Sequence, residues 1–295
     1  GKRIDVYISR FRDDLSRSQV QKLITDGKVT VNGKNIKSNY RLREKDIIDI
    51  EIPDPEPLDI EAEDISLNIL YEDSDVIVID KPQGMVVHPA PGHYSGTVVN
   101  ALMYHCKDSL SGINGCMRPG IVHRIDMNTS GIIVAAKSDA AHKSLAVQFA
   151  EHSINRRYRA IVVGNIKEDT LTVDKPIGRN PRDRKKMAVV EGGKRAVTHF
   201  TVLERFGKYT YIEASLETGR THQIRVHMKA IGHPLPGDFL YCPDYRFIDR
   251  QPLHSTYLSF SHPVTGEKLE FSAPLPGDMR KLFPNIKDPS GPVFY

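Results

Sequence analysis

The sequence predicts an α+β protein with a largely antiparallel mixed sheet, built as a small module followed by a larger one. Three observations carry this. Strand-like segments outnumber helical ones but are interrupted by them, which argues against an all-β or a regularly alternating parallel fold. The segment PDPEPLDIEAED, residues 53–64, holds three prolines and six acids with little to bury, and reads as an extended linker between residues 1–52 and 65–295. The chain of 295 residues is 39% hydrophobic and 26% charged, enough apolar material for a substantial core.

In the first module Ser16 can N-cap a helix, with Gln19 at its third position. Val20, Leu23 and Ile24 form its apolar stripe, and Gly27 stops it. VTVNGKNI follows as a hairpin, because Asn32-Gly33 between short alternating segments is a type I′ turn signal. KDIIDIEI, Lys45 to Ile52, supplies another strand. The larger module opens with the strands LNILY and VIVID, joined by the turn formers Glu72 to Asp75, then an irregular Pro- and Gly-rich stretch, KPQGMVVHPAPG. Helices are expected over Ser95 to Tyr104 and over Ser138 to Ala150, where Ser138 caps and Ala141, Leu145 and Phe149 recur every fourth residue. Beyond them RYRAIVVG, AVTHFTVLERF and YTYIEASLET read as strands, Thr221 to Ile231 as a helix, and the runs near Leu258 and Leu269 as strands.

Composition narrows the function classes. The longest apolar runs, such as Val76 to Ile79 and Ile132 to Ala136, fall far short of the ~20 residues that a bilayer helix needs. The charged start GKRIDVYISRFRDD shows no signal peptide, so a cytoplasmic protein is expected. Cys106, Cys116 and Cys242 form no CxxC pair and read as free thiols. Residues 1–52 carry 12 Lys/Arg against 8 Asp/Glu, and the whole chain is +4, so two basic modules flank an acidic connector, as suits a polyanion binder. Neither HExxH nor HxE…CxxC occurs, and His222 and His227 are five apart rather than four, so no metal is expected. GxxxxGK[ST] and GxGxxG are absent, so no nucleotide cofactor is expected either. With no coiled-coil heptads, a monomer is expected.

Read locally, the residues that can carry chemistry are ambiguous. Asp126, in RPGIVHRIDMNTSGIIVAAKS (118–138), precedes a buried-looking strand but is followed by Asn-Thr-Ser-Gly, as a turn or capping residue would be. Arg225 reads as a surface charge on a helix whose buried stripe is Ile224, Met228 and Ile231. Tyr158 reads as a half-buried packing residue on a strand.

Resemblance decides among these readings. The segment SRSQVQKLITDGKVTVNGK resembles the S4 RNA-binding module, a helix pair followed by a hairpin, which implies phosphate contacts by Arg10, Arg12, Arg17, Lys22 and Lys28. From about Ile69 through Pro276 the chain resembles the RluA-type pseudouridine synthases. The resemblance rests on YEDSDVIVIDKPQGMVVHPA, the HRID of residues 123–126, Arg156-Arg157-Tyr158-Arg159, KPIGR at 175–179, ETGRTHQIRVHMKAIGHPLPGD at 217–238 and LHSTYLSFSHPVTGE, in that order. Ile125, Arg156 and Cys242 stand where relatives usually have Leu, Lys and Gly.

The resemblance implies a cofactor-free isomerisation of uridines in large-subunit (23S) rRNA, as naked RNA or a pre-ribosomal particle. Asp126 is implied as the catalytic carboxylate, attacking the sugar or removing its C2′ proton, and Arg225 as the cation that pairs with it. Tyr158 is implied to pack on the flipped base, and Arg124 to enter the RNA stack that the base has left. The basic run RNPRDRKK, with Arg179, Arg184, Lys185 and Lys186, reads as an exposed loop that contacts RNA backbone. Two rival functions are an RNA-binding ribosome assembly factor with incidental or lost catalysis, and a nucleoside-cleaving glycosylase.

Overall fold

The computed structural model describes residues 1–12, 15, 17–51, 60–90, 92–113 and 119–282. The chain divides into two compact units, Gly1–Pro57 and Leu58–Tyr295. In the small unit two helices, α1 (Ile4–Phe11) and α2 (Arg17–Thr25), precede three antiparallel strands, β1 (Val29–Val31), β2 (Lys34–Asn35) and β3 (Ile48–Ile50), ordered β2-β1-β3. Asn32 (φ 51°) and Gly33 (φ 71°) both adopt positive φ in the hairpin turn, as the Asn-Gly pair demands. Ser16 lies outside the described residues. The local pattern gives no sign of α1, although the S4 resemblance implies a helix pair. Its charged sequence hides a short apolar edge, Ile4 and Ile8, that packs with Val20, Ile24 and Val29. Beside that edge Asp5 is fully buried, and its carboxylate accepts from Arg3 Nε (3.0 Å), Arg17 Nε (3.0 Å) and Gln21 Nε2 (2.7 Å), locking α1 to α2.

The large unit begins before the expected end of the connector. Ile60 is buried in its core, Asn100 Nδ2 donates to the Glu61 carbonyl, and the Glu63 carboxylate accepts from Gly96 N. These attachments fix residues that an acidic composition presents as merely solvated. Its elements in order are β4 (Ile69–Glu72), β5 (Val76–Lys81), α3 (Val98–Cys106), β6 (Ser130–Ala136), α4 (Asp139–Ala150), β7 (Asn155–Val163), β8 (Thr170–Asp174), β9 (Ile177–Arg179), β10 (Met187–Val189), β11 (Val197–Arg205), β12 (Tyr209–Leu216), α5 (Gln223–Ala230), β13 (Leu253–Ser261), β14 (Lys268–Ser272) and α6 (Gly277–Leu282).

Nine of these strands form one sheet, ordered β4-β5-β6-β13-β7-β12-β11-β8 with β14 on β13, antiparallel except where β13 runs parallel to β6. Alternation along β5 and β6 sends Ile77, Ile79, Ile133 and Ala135 into a core with Leu102 of α3 and Ile224 and Met228 of α5. Val76, Val78, Ile132 and Val134 enter a second core with Ala141 and Leu145 of α4. Both faces of these strands are covered, which is why they read as unbroken apolar runs. Ser138 caps α4 as expected, accepting from Ala141 N at 3.1 Å. The strands β9 and β10 form a separate two-stranded ribbon, and residues 179–186 turn between them. Among the described residues no helix is long and apolar enough to cross a membrane.

Candidate active site

Three pieces of the large unit converge on one cleft of about 390 Å³: the loop 122–129 entering β6, the face of β7, and the start of α5. Asp126, Arg124, Arg156, Tyr158, His222 and Arg225 all line it.

The Asp126 loop is fixed through its carbonyls. Lys81 is fully buried, and its Nζ donates to Pro82 O (2.7 Å), Met85 O (2.9 Å) and Met127 O (3.0 Å). Arg250 Nη1 donates to Asn128 O (3.1 Å), and Thr129 N to Asp126 O (3.0 Å). All three ammonium donors of Lys81 are therefore spent on positioning backbone. Burial pushes its pKa down to about 7, against the pull of Asp126. With the loop held from behind, the Asp126 side chain, 20% exposed, faces the cleft.

Among the described residues Arg225 is the largest fully buried side chain, 2% exposed, so its reading as a surface charge on an amphipathic helix does not hold. Two carboxylates hold it there. Asp238, itself fully buried, takes Nε at 2.7 Å and Nη2 at 2.8 Å, while Nη1 reaches Asp126 Oδ2 at 2.8 Å. Burial works against the guanidinium charge, but the Asp238 hydrogen bonds and the field of Asp126 outweigh it and raise the Arg225 pKa. Asp238 is in turn oriented by Leu240 N and Tyr241 N, which both donate to Oδ1.

The second oxygen of Asp126 faces His222, whose Nε2 lies 3.8 Å from Oδ1. His222 caps α5 with φ 57°, a left-handed conformation that turns the chain just before Arg225. The Tyr241 hydroxyl lies 2.9 Å from His222 Nδ1 and accepts from Met187 N at 2.9 Å. The Tyr241 contact fixes the orientation of the imidazole and leaves Nε2 as the ring nitrogen that faces Asp126. Burial keeps His222 below its ordinary pKa.

Tyr158, 6% exposed on β7, forms the floor with Ile125 and Leu253, and burial raises its phenol pKa. His123, beside Arg124, also lines the cleft, but its ring is engaged in packing. Its ring stacks on Phe149 (4.5 Å) and its Nε2 accepts from Val134 N (3.0 Å), while burial and the nearby Arg156 push its pKa down to about 3.

The structure therefore brings Asp126, Tyr158, Arg225 and Arg124 to one cleft. The remaining expected RNA contacts lie elsewhere. On the small unit Arg10 and Lys22 are exposed, and Arg12 and Lys28 are half-buried. Arg17 is tied to Asp5, and Lys28 to Glu51. At the ribbon tip Arg179, Arg184 and Lys185 are exposed, and Lys186 pairs with Asp183 at 3.3 Å. Sequence reasoning missed Lys81, His222, Tyr241 and Asp238 as parts of the site, because each acts through a partner distant in sequence. A metal-type cluster, Asp73, Asp75 and His262, brings its ligand atoms within 4.8 Å. It is already spent on structure, with Asp73 accepting from Val76 N and His262 Nε2, and Asp75 from Ser138 Oγ.

Comparison with known proteins identifies the family. The profile of the RNA pseudouridylate synthase family matches residues 75–230, and that of the S4 domain matches residues 2–48. An uncharacterized RNA pseudouridine synthase of Bacillus subtilis is 54% identical over 97% of this chain and 95% of its own length. Ribosomal large subunit pseudouridine synthase D of Zymomonas mobilis is 46% identical over 96% of this chain and 93% of its own length. Among solved structures, human RNA pseudouridylate synthase domain containing 1 superposes with a TM-score of 0.59 at 27% identity, covering 75% of this chain and 86% of that one.

Proposed function

Because the chain belongs to the RNA pseudouridylate synthase family and carries an S4 domain, we propose that it isomerises uridines of large-subunit rRNA with Asp126 as its catalytic carboxylate. Similarity to the Zymomonas mobilis synthase D supports the choice of RNA. A single observation carries the assignment to Asp126: its carboxylate, on a loop fixed from behind, is paired inside the cleft with a buried arginine that Asp238 holds rigid. The pairing uses Oδ2 and leaves Oδ1 beside His222 Nε2, 3.8 Å away.

The reaction breaks the N1–C1′ bond of uridine and forms a C5–C1′ bond. N1 gains a proton, C5 loses one, and no electrons are exchanged. Oδ1 of Asp126 either attacks C1′ or takes the C2′ proton. Both routes need a carboxylate held against the sugar, which the Arg225 and loop contacts supply before substrate arrives. Tyr158 offers its ring as the platform for the loosened uracil, and its buried phenol, protonated at neutral pH, is a donor for the rotating base. Arg124, exposed at the rim, fills the place of the extruded base. Arg10, Lys22 and the 179–186 tip supply phosphate contacts, and the protein works in the cytoplasm, where pre-ribosomal RNA is found.

The substrate assignment is tested by incubating the protein with full-length large- and small-subunit rRNA transcripts and mapping pseudouridine by mass spectrometry. Pseudouridine at discrete sites of the large-subunit transcript alone is expected. Modification confined to the small-subunit transcript, or to tRNA added as a control, contradicts it.

A further inference from the structure

Arg156 lines the cleft on the face of β7 that also carries Tyr158, two residues and about 6.6 Å along the strand. It is 8% exposed, and its guanidinium lies over the Phe149 ring, 5.4 Å from the centroid. Its Nε is buried without a hydrogen-bond partner. Three residues on, Arg159 has Glu213 at 3.0 Å, but among the described residues no carboxylate pairs with Arg156. Gly219 stands against the fork, where a Cβ would lie 2.9 Å from Nη1. The missing side chain leaves the guanidinium room at the cleft wall.

A cation taken out of water without a fixed counter-charge is unfavourable, so such residues are normally paired with carboxylates or meet an anion from a ligand. RNA offers two kinds of acceptor here. A uracil carbonyl accepts a hydrogen bond but brings no charge. A phosphodiester brings the charge and matches the two-pronged geometry of the guanidinium. We infer that Arg156 is the anion subsite of this cleft and takes a phosphodiester group flanking the uridine that stacks on Tyr158. The inference rests on the reading that the Asp126 cleft receives the extruded uridine.

Binding of large-subunit rRNA stem-loop transcripts tests it, with every protein carrying Asp126→Asn so that the RNA is not consumed. Affinity is measured from 50 to 300 mM KCl (about the range over which phosphate contacts show themselves) for the parent, Arg156→Met and Gly219→Ala. A parallel set of RNAs carries neutral methylphosphonate linkages on both sides of each loop uridine. Arg156→Met is expected to raise Kd about tenfold and to flatten the slope of log Kd against log salt by about 1. Gly219→Ala keeps the charge but displaces the fork, and is expected to weaken binding by a similar factor. The neutral linkages are expected to cost the parent about as much as the arginine does, and to cost Arg156→Met nothing more.

An unchanged slope with weaker binding means contact to a neutral carbonyl and overturns the inference. Unchanged affinity in both variants, or neutral linkages that cost parent and Arg156→Met equally, also overturn it. Thermal unfolding confirms that each variant is folded, and if Arg156→Met is not, Gly219→Ala with the neutral linkages decides alone. Tritium release from the same RNA by protein with Asp126 intact is recorded alongside. Its absence overturns the choice of RNA, while the slopes and the neutral linkages still judge whether Arg156 takes a phosphodiester.

Discussion

The placement of Asp126 depends on neighbouring side chains with separable signatures. Asp238 holds Arg225 by two hydrogen bonds, so Asp238→Asn removes the negative charge behind the guanidinium and leaves it free to tilt. A single-turnover rate about 100-fold lower with little change in RNA affinity is expected, the scale of a misplacement near 1 Å. Lys81→Met removes the donor that ties the partly buried Pro82, Met85 and Met127 carbonyls together, of which Met127 O keeps Gly84 N, and a loss of about 2 kcal/mol in thermal or urea unfolding is expected. His123 sets a pH dependence whose sign follows from its displaced pKa. An exposed imidazole titrates near 6.5 and this one near 3, so between those values the unfolded chain binds the extra proton. Stability is therefore complete above about pH 6.5 and is lost as pH falls toward 3, by at most about 1.4 kcal/mol per pH unit. Unfolding titrations of wild type and His123→Gln check it, and the variant is expected to show the flatter profile.

At the scale of elements, what the sequence discloses depends on whether a signal is local. Ser138 announces α4, Asn32-Gly33 announces the first hairpin, and the apolar runs announce β5 and β6, because capping, turn geometry and burial act within a few residues. The start of α5 is displaced from the expected Thr221 to Gln223 because His222 turns left-handed to engage Tyr241 and Asp126, a long-range demand. The short ribbon β9–β10 escapes notice for a similar reason, since its strands have three residues each and are held by α5 and the Tyr241 hydroxyl. Arg225 shows the limit most clearly, because a charge on a helix looks exposed until its two carboxylates, 99 positions upstream and 13 downstream, are known. The parallel pairing of β6 with β13 turns on Gly131, whose φ of +110° and 2.2 Å approach of a would-be Cβ to Ser255 O leave no room for a side chain. Gly131→Ala is expected to cost more than about 3 kcal/mol and to appear as a large drop in melting temperature or as insoluble protein.

On the scale of the whole molecule, the two units carry different burdens. The small unit and the ribbon tip offer exposed cations, while the large unit holds the cleft. Their contributions separate experimentally. Replacing both Arg10 and Lys22 with Glu is expected to weaken RNA binding at least tenfold and to reduce its salt slope by about 2, with little change in the single-turnover rate at saturating RNA. The family was legible in ordered motifs, and Asp126 was singled out from them as the proposed catalytic carboxylate, whereas the packing that holds Asp126 was not legible, since it joins β5, α5 and the Asp238 turn. The most direct measurement is tritium release from large-subunit rRNA labelled at uridine C5, with pseudouridine counted by mass spectrometry, for wild type and Asp126→Asn. Release matched by pseudouridine in the wild type, and neither in a folded, RNA-binding Asp126→Asn protein, is the predicted result. Pseudouridine formation by Asp126→Asn at a rate within tenfold of wild type would contradict the account.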